Sequence, residues 1–240
     1  VMTKADERIV EANRLATDRF DLWRRIAQAY SVVRLTEVGV WRGEYAEYML
    51  RACPDISEYR MIDPWRTLKD WNKPANEPQH IFEKVFDEAM QRTEFAGSKR
   101  IVHRDRTVEA SDKIPDGSQD MIYVDGDHTL RGIAVDLIRM LPKVKPGGLL
   151  CGDDFTHTIW QHSDRYDPTF IFPFAVYFAE AHGMKIHALR FNQFVMQVTP
   201  DGRFGFEDLA GGYLGRSMRD IMKKPPVTLR QRVKRLVGRD

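Results

Sequence analysis

Apolar positions change period several times along the chain, and each change marks a predicted element. Over residues 1–30, Ile9, Val10, Leu15, Phe20, Leu22, Trp23, Ile26 and Ala27 recur mostly at three- and four-residue steps. That spacing predicts one or two amphipathic helices laid against the body of a domain. Val32 to Val40 then reads as a strand, Glu44 to Ala52 as a helix, and residues 58–63 as a second strand. Residues 66–80 are polar and proline-bearing, longer than the ~4–6 residue connections usual in α/β proteins, and predict a loop over a pocket. A helix over Ile81 to Phe95, a third strand ending at His103 and a helix starting near Val108 follow. From Gln119 to Phe155 the pattern is a buried strand, an amphipathic helix, a Pro-Gly-Gly turn and a second buried strand. Beyond an irregular insert, a helix is expected from Phe174 to His182. Strands over 185–190 and 193–199 then make an antiparallel hairpin. The tail, 201–240, is glycine-rich and then basic, and ends in an amphipathic pattern through Leu229, Val233, Leu236 and Val237. Such a helix can touch an anionic surface or simply pack as a terminal helix.

Strands alternating with helices predict an α/β domain around a doubly wound, mostly parallel sheet. The 240 residues suit one such domain, with 1–30 as a helical extension and 201–240 as a basic tail. Composition narrows the partners. Hydrophobic residues make up 42% and charged residues 30% of the chain, the balance of a soluble globular protein. A net charge of +2 gives no electrostatic case for nucleic acid, and no apolar run reaches the ~18 residues of a spanning helix. Cys53 and Cys151 are too few for a disulfide framework, and the amino terminus has no apolar signal region. A cytoplasmic protein is expected.

Charge placement supplies the chemistry. If the two strands between Gln119 and Phe155 are parallel neighbours, Asp125-Gly126-Asp127-His128 and Asp153-Asp154 emerge at one carboxyl edge. Carboxylates that close repel, and a hard divalent cation such as Mg2+ neutralises an all-oxygen set. Upstream, Glu37-x-Gly39-x-x-x-Gly43 turns from a strand into a helix, lets a ligand approach the backbone and offers free helix N–H groups. It lacks the third glycine of a dinucleotide fingerprint and carries Trp41 instead. Asp63, at the next strand end, is placed to accept hydrogen bonds from ribose hydroxyls. Asp105 either binds an adenine amino group or caps the following helix, and Asp127 reads as a cap. Strand alternation points Asp153 and Asp154 to opposite sides, so one of them supports the other.

These motifs resemble the class I S-adenosylmethionine-dependent methyltransferases over roughly Leu35 to Thr199. Glu37 to Gly43 looks like their cofactor loop and Asp63 like the ribose-binding acid. The resemblance implies a Rossmann-like seven-stranded sheet closed by an antiparallel hairpin. It also implies S-adenosylmethionine as cofactor, with Glu37, Gly39, Gly43, Asp63, Asp105 and Asp125 around it. More narrowly, Asp125-Gly126-Asp127-His128 together with Gly147-Gly148-x-x-x-Gly152-Asp153-Asp154 resembles the metal-dependent sugar O-methyltransferases of macrolide and aminocoumarin deoxysugars and of methylmannose polysaccharide precursors. By that likeness Asp125, Asp153 and Asp154 bind Mg2+ or another divalent cation, and His128 is the general base, with His157 as competitor. A metal that coordinates vicinal substrate oxygens lowers a sugar hydroxyl's high pKa, and a histidine takes the proton. The expected acceptor is a small sugar or oligosaccharide, and a homodimer is expected from the helical amino terminus and tail. A catechol or small polyol is the nearest rival acceptor, and aromatic Trp65, Trp71, Trp160 and Tyr166 in the expected lid regions suit either. A nicotinamide-dependent oxidoreductase or a nucleoside-binding module would leave Asp153, Asp154 and His128 without a task.

Overall fold

The computed structural model describes residues 4–199 and 202–224. Two amino-terminal helices, α1 (Lys4–Leu15) and α2 (Arg19–Ala29), precede alternating β1 (Arg34–Val38), α3 (Glu44–Ala52), β2 (Glu58–Ile62), α4 (Gln79–Arg92), β3 (Arg100–His103), α5 (Thr107–Ser111), β4 (Gln119–Val124), α6 (Leu130–Met140) and β5 (Val144–Gly152). Then come α7 (Ile171–Ala181), β6 (Lys185–Leu189), β7 (Gln193–Gln197), β8 (Gly205–Asp208) and the short α8 (Met218–Ile221). The strands form one sheet in the order β3-β2-β1-β4-β5-β7-β6-β8. β1 to β5 run parallel, and β7 is antiparallel to both β5 and β6.

Local chemistry starts and stops these elements. Asp18 caps α2 by accepting the backbone N–H of Phe20 and of Asp21, each at 2.8 Å, and the Thr129 hydroxyl caps α6 by accepting from Gly132 N. Period-two alternation splits the sheet between two cores. Leu35, Met121 and Tyr123 face one with Leu22, Trp23, Ile26, Met49 and Val85, whereas Val38, Ile122 and Val124 face the other with Ile133, Leu137 and Phe178. Helices cover both faces, so Met121–Val124 of β4 has no polar side and reads as the continuous apolar run seen in the sequence.

Several expectations change. The sheet has eight strands, not seven, because Gly205–Asp208 pairs in parallel with Lys185–Ala188. That strand is four residues long without apolar alternation, so it exists only because β6 offers an open edge. The Pro-Gly-Gly turn is absorbed into β5, which starts at Val144 and is pinned there by Gly147 N donating to Val198 O at 2.6 Å. The Phe174–His182 helix begins earlier, at Ile171. The antiparallel β6–β7 hairpin forms, with Phe191 and Asn192 taking left-handed φ values of 62° and 57° in its turn, but its strands are shorter than expected and β8, not the hairpin, ends the sheet. The basic amphipathic pattern of 225–240 lies outside the described residues. No helix among the described residues is long and apolar enough to cross a membrane.

Candidate active site

β1 pairs with β2 on one side and β4 on the other, so the crossovers diverge there and leave a crevice beyond the carboxyl ends of the strands. A cavity of about 780 Å³ occupies it. Its wall includes Glu37, Gly39, Asp63, Asp105, Asp125, His128 and Asp154. Seven residues singled out by sequence thus share one volume.

The glycine turn builds the floor. Asp125 N donates to Val38 O at 2.7 Å and Gly39 N to Ile62 O at 2.8 Å. Gly39 has φ +87°, and a Cβ there would stand 2.0 Å from the Asp125 carbonyl oxygen. Only glycine fits. Asp63 braces the same turn. Its Oδ2 accepts from Val40 N and Trp41 N, both at 3.0 Å, and its Oδ1 from Trp65 N at 2.8 Å. Burial nonetheless raises its carboxyl above the usual range. Glu37 is buried as well and accepts from the Tyr59 hydroxyl at 2.8 Å, and burial pushes it well above the ordinary carboxylate value. Gly43, expected beside the cofactor, precedes α3 at φ +77° tight against Ala89 and is not among the residues of the cavity wall. Asp105 reaches the cavity but is ion-paired with Lys113 at 2.5 Å.

The acidic edge is organised by two cations of the chain itself. His128 Nδ1 lies 2.5 Å from Asp154 Oδ2, and Nε2 lies 3.3 Å from Asp125 Oδ1 without alignment for a hydrogen bond. Burial disfavours the charged ring, but the two carboxylates outweigh it and push its pKa up to about 10. Burial likewise opposes ionisation of Asp154, yet the bonded imidazole holds its carboxyl below the usual range. Asp154 takes a left-handed φ of 57°, which separates its side chain from that of Asp153. Asp153 turns away to Arg19, on α2, and to Gln193 Nε2 at 2.5 Å. Burial and repulsion from Asp125 and Asp154 lift its pKa to about 7. Trp23 Nε1 and the Tyr123 hydroxyl donate to Gln193 Oε1 at 2.7 and 3.1 Å, fixing the amide that orients Asp153. Arg19 Nη1 is also 3.9 Å from Asp125. Asp125, His128 and Asp154 each offer a ligand atom within 4.8 Å of the others, but the two flanking carboxylates hold the His128 ring in its protonated form, so the lone pairs on offer at this edge are those of carboxylate oxygens.

Other expected residues sit elsewhere. His157 packs its ring 4.0 Å from that of Tyr213 and against Gly212, and is not among the residues of the cavity wall. Trp65 is fully buried in the core and donates to Trp41 O, which corrects its assignment to a lid. The cap of α6 is Thr129 and not Asp127, which corrects that expectation: Asp127 lies two residues ahead of the cap, accepts from Thr129 N at 2.9 Å and also from Trp71 Nε1 at 3.0 Å. Residues 66–80 do cover the cavity, through Arg66, Leu68, Asp70, Trp71 and Lys73. The insert after β5 closes on them. Lys73 Nζ donates to Asp167 O, at 2.8 Å, and to the Thr169 hydroxyl, at 3.1 Å, and Asn72 Nδ2 to Arg165 O.

Sequence reasoning missed Arg19, Gln193, Lys73 and Asp136. Arg19 left one faint sign, a cation at the start of a helix where the dipole disfavours it. Asp136 left a clearer one, an acid on the apolar face of Ile133, Leu137 and Met140. It is buried in the cavity wall, takes the Thr107 hydroxyl at 2.5 Å, and burial lifts it to about 7. The Trp71–Asp127 bond invites a test. A hydrogen bond to a charged group is worth about 1.5–3 kcal/mol, so Trp71→Phe is expected to raise the acceptor KM roughly tenfold with kcat little changed. An unaltered KM in steady-state assays would show that this contact does not hold the lid.

A profile of a methyltransferase-domain family matches residues 36–155, half of the 240-residue chain. A search of curated proteins finds no match. Among solved structures, the O-methyltransferase from Bacillus cereus in complex with SAH is similar at 16% identity, covering 83% of this chain and 92% of that one with a TM-score of 0.55. TomG from Streptomyces achromogenes, an O-methyltransferase of tomaymycin synthesis in complex with SAM, is similar at 17% identity, 83% and 91% coverage and a TM-score of 0.52. The SAH-bound methyltransferase PaMTH1 of Podospora anserina gives 14% identity, 83% and 89% coverage and a TM-score of 0.51. At these identities the likeness is one of fold.

Proposed function

The chain belongs to the methyltransferase-domain family, and from that premise we propose that it is an S-adenosylmethionine-dependent, divalent-cation-assisted O-methyltransferase acting on a sugar hydroxyl. The observation that carries this reading is the single cavity in which the Gly39 turn and Asp63 meet Asp125, His128 and Asp154. One half of it suits a nucleoside and the other an oxygen nucleophile. Solved proteins of like fold hold SAM or SAH.

In this reading the backbone of the Gly39 turn and the acids Glu37, Asp63 and Asp105 receive the cofactor. Asp125 and Asp154, and Asp153 if it gave up Arg19, would be the oxygen ligands for a hard cation. Such an ion, when bound, acidifies a coordinated hydroxyl and orients it toward the sulfonium methyl. His128 would take the acceptor's proton at Nε2 from its neutral form, having first released its own proton to solvent. Its ring holds a proton because the Asp125 and Asp154 carboxylates flank it, and that hold would weaken if those carboxylates were taken up as ligands. Trp71 and the strap of Lys73 close the acceptor side and exclude water, which protects the cofactor from wasteful hydrolysis.

Calorimetry with S-adenosylmethionine and with NAD, each with and without Mg2+, tests the premise. The methyl donor is expected to bind and NAD to leave no heat; no binding of S-adenosylmethionine ends the proposal. Methyl transfer to a panel of glycosides and catechols, with and without EDTA, tests the rest. Glycoside methylation that stops on chelation and resumes with Mg2+ is expected. Transfer only to catechols would move the assignment to the rival acceptor, and transfer indifferent to EDTA would remove the cation.

A further inference from the structure

A second cluster of titratable side chains lies where α1 crosses β6 and β8, and methyl transfer leaves it without a task. Asp6 and His187 are almost wholly buried, and Glu207 is 30% exposed. His187 Nε2 stands 3.4 Å from Asp6 Oδ1 and 3.3 Å from Glu207 Oε2. Neither contact is aligned as a hydrogen bond, and Nε2 has no hydrogen-bond partner among the described residues. The opposite oxygens are already used. Lys185 Nζ sits 2.7 Å from Asp6 Oδ2 and 3.3 Å from Glu207 Oε1. Lys185 thus engages one oxygen of each carboxylate while the other oxygen of each faces the imidazole.

We propose that Asp6, His187 and Glu207 form a binding site for a divalent transition metal of the zinc type. The three atoms come within 4.8 Å of one another. Ligand bonds of about 2.0–2.1 Å in tetrahedral geometry put neighbouring ligand atoms about 3.3 Å apart, which is the spacing His187 keeps from each carboxylate. A nitrogen donor with two carboxylates favours zinc-like ions over Mg2+ or Ca2+, which take oxygen ligands in larger number. Burial drives His187 toward its neutral form, the form that donates a lone pair. Two carboxylates against one lysine leave a net negative charge for the ion to offset. Lys185 is the positioning residue, bonded to the ligands and not to the ion. The ligands come from three elements distant in sequence, so the ion acts as a staple that ties the amino-terminal helix to the last strand of the sheet.

The test titrates the metal-stripped full chain with Co2+, followed by its visible absorption, and then displaces it with Zn2+. The Asp154→Asn variant is run in parallel to separate this site from the acidic edge of the cavity. One equivalent with the strong bands of tetrahedral cobalt is expected in both proteins, with the bands lost on Zn2+ addition. His187→Gln is expected to abolish the bands, and Lys185→Met to weaken Zn2+ binding by about 10–100-fold, as loss of an outer partner does. Zn2+, but not Mg2+, is also expected to raise the Tm of Asp154→Asn. No tetrahedral bands in the unaltered chain, bands that survive His187→Gln, or bands lost only in Asp154→Asn would each overturn the proposal. If His187→Gln does not fold, the cobalt spectrum of the unaltered chain and the Zn2+ shift in Tm decide, and absence of either overturns it.

Discussion

Replacing His128 by alanine is expected to lower kcat by about 10²–10⁴-fold, the range for loss of a positioned general acid or base, while S-adenosylmethionine affinity stays as it was. The split follows from position. His128 lies on the acceptor side of the cavity, between Asp125 and Asp154, whereas the turn that would receive the donor is built from Gly39 and braced by Asp63. An aliphatic hydroxyl, the acceptor proposed above, keeps its proton near neutrality, so the step expected to suffer is chemistry and not binding. The variant also removes the imidazole that separates two carboxylates, so Mg2+ should stabilise it more than it does the unaltered chain. Single-turnover rates beside calorimetric Kd values and melts with and without Mg2+ check all three points. Turnover retained in His128→Ala would pass the role of base to a carboxylate of the same edge. His157, the competing base expected from the sequence, packs its ring on Tyr213 and is not among the residues of the cavity wall.

Gly39→Ala is expected to have the largest structural effect of any single methyl in the site. The new Cβ would lie 2.0 Å from the Asp125 carbonyl oxygen and 2.7 Å from Gly126 Cα, both backbone atoms that cannot rotate aside. Relief requires β1 and β4 to move apart at the point where Asp125 N bonds Val38 O. A left-handed non-glycine residue costs about 1–2 kcal/mol and overpacking a further 1–3 or so. The sum, roughly 2–5 kcal/mol, lowers Tm by about 4–20 °C for a chain of this length at ~2–4 °C per kcal/mol. Cofactor binding should be lost even where the protein still folds, since the floor of the cavity is displaced. A Tm within a degree of the unaltered chain, with S-adenosylmethionine still bound, would show that the turn tolerates a side chain and is not the cofactor's seat.

Several features were legible because they are local. The period of apolar residues marked β1, α3, β4 and α6, and α3 begins and ends where the pattern put it, at Glu44 and Ala52. The acidic pairs at two strand ends implied a shared site once a parallel strand-helix-strand unit was assumed, and β4 and β5 are indeed parallel neighbours. Other features were hidden because the partner is remote. Arg19 is 134 positions from Asp153 and Gln193 is 40 from it. Trp65 looked like a lid aromatic because loop composition surrounds it, yet its ring is core. β8 has no strand signature of its own and forms only where β6 leaves hydrogen-bonding groups open.

Sequence alone therefore determined the alternation of strands and helices, the glycine that the first turn needs, and the presence of carboxylates and a histidine at adjacent strand ends. These follow from side-chain period, backbone freedom and residue chemistry, which act over a few positions. Tertiary structure alone decided which carboxylates converge. Asp154 joins Asp125 and His128 because its left-handed backbone turns it from Asp153, and Asp153 is drawn off by Arg19 and Gln193 from opposite ends of the chain. It also decided that Asp6, His187 and Glu207 share one point, which no spacing foretells, because packing between distant segments chooses the direction of each side chain.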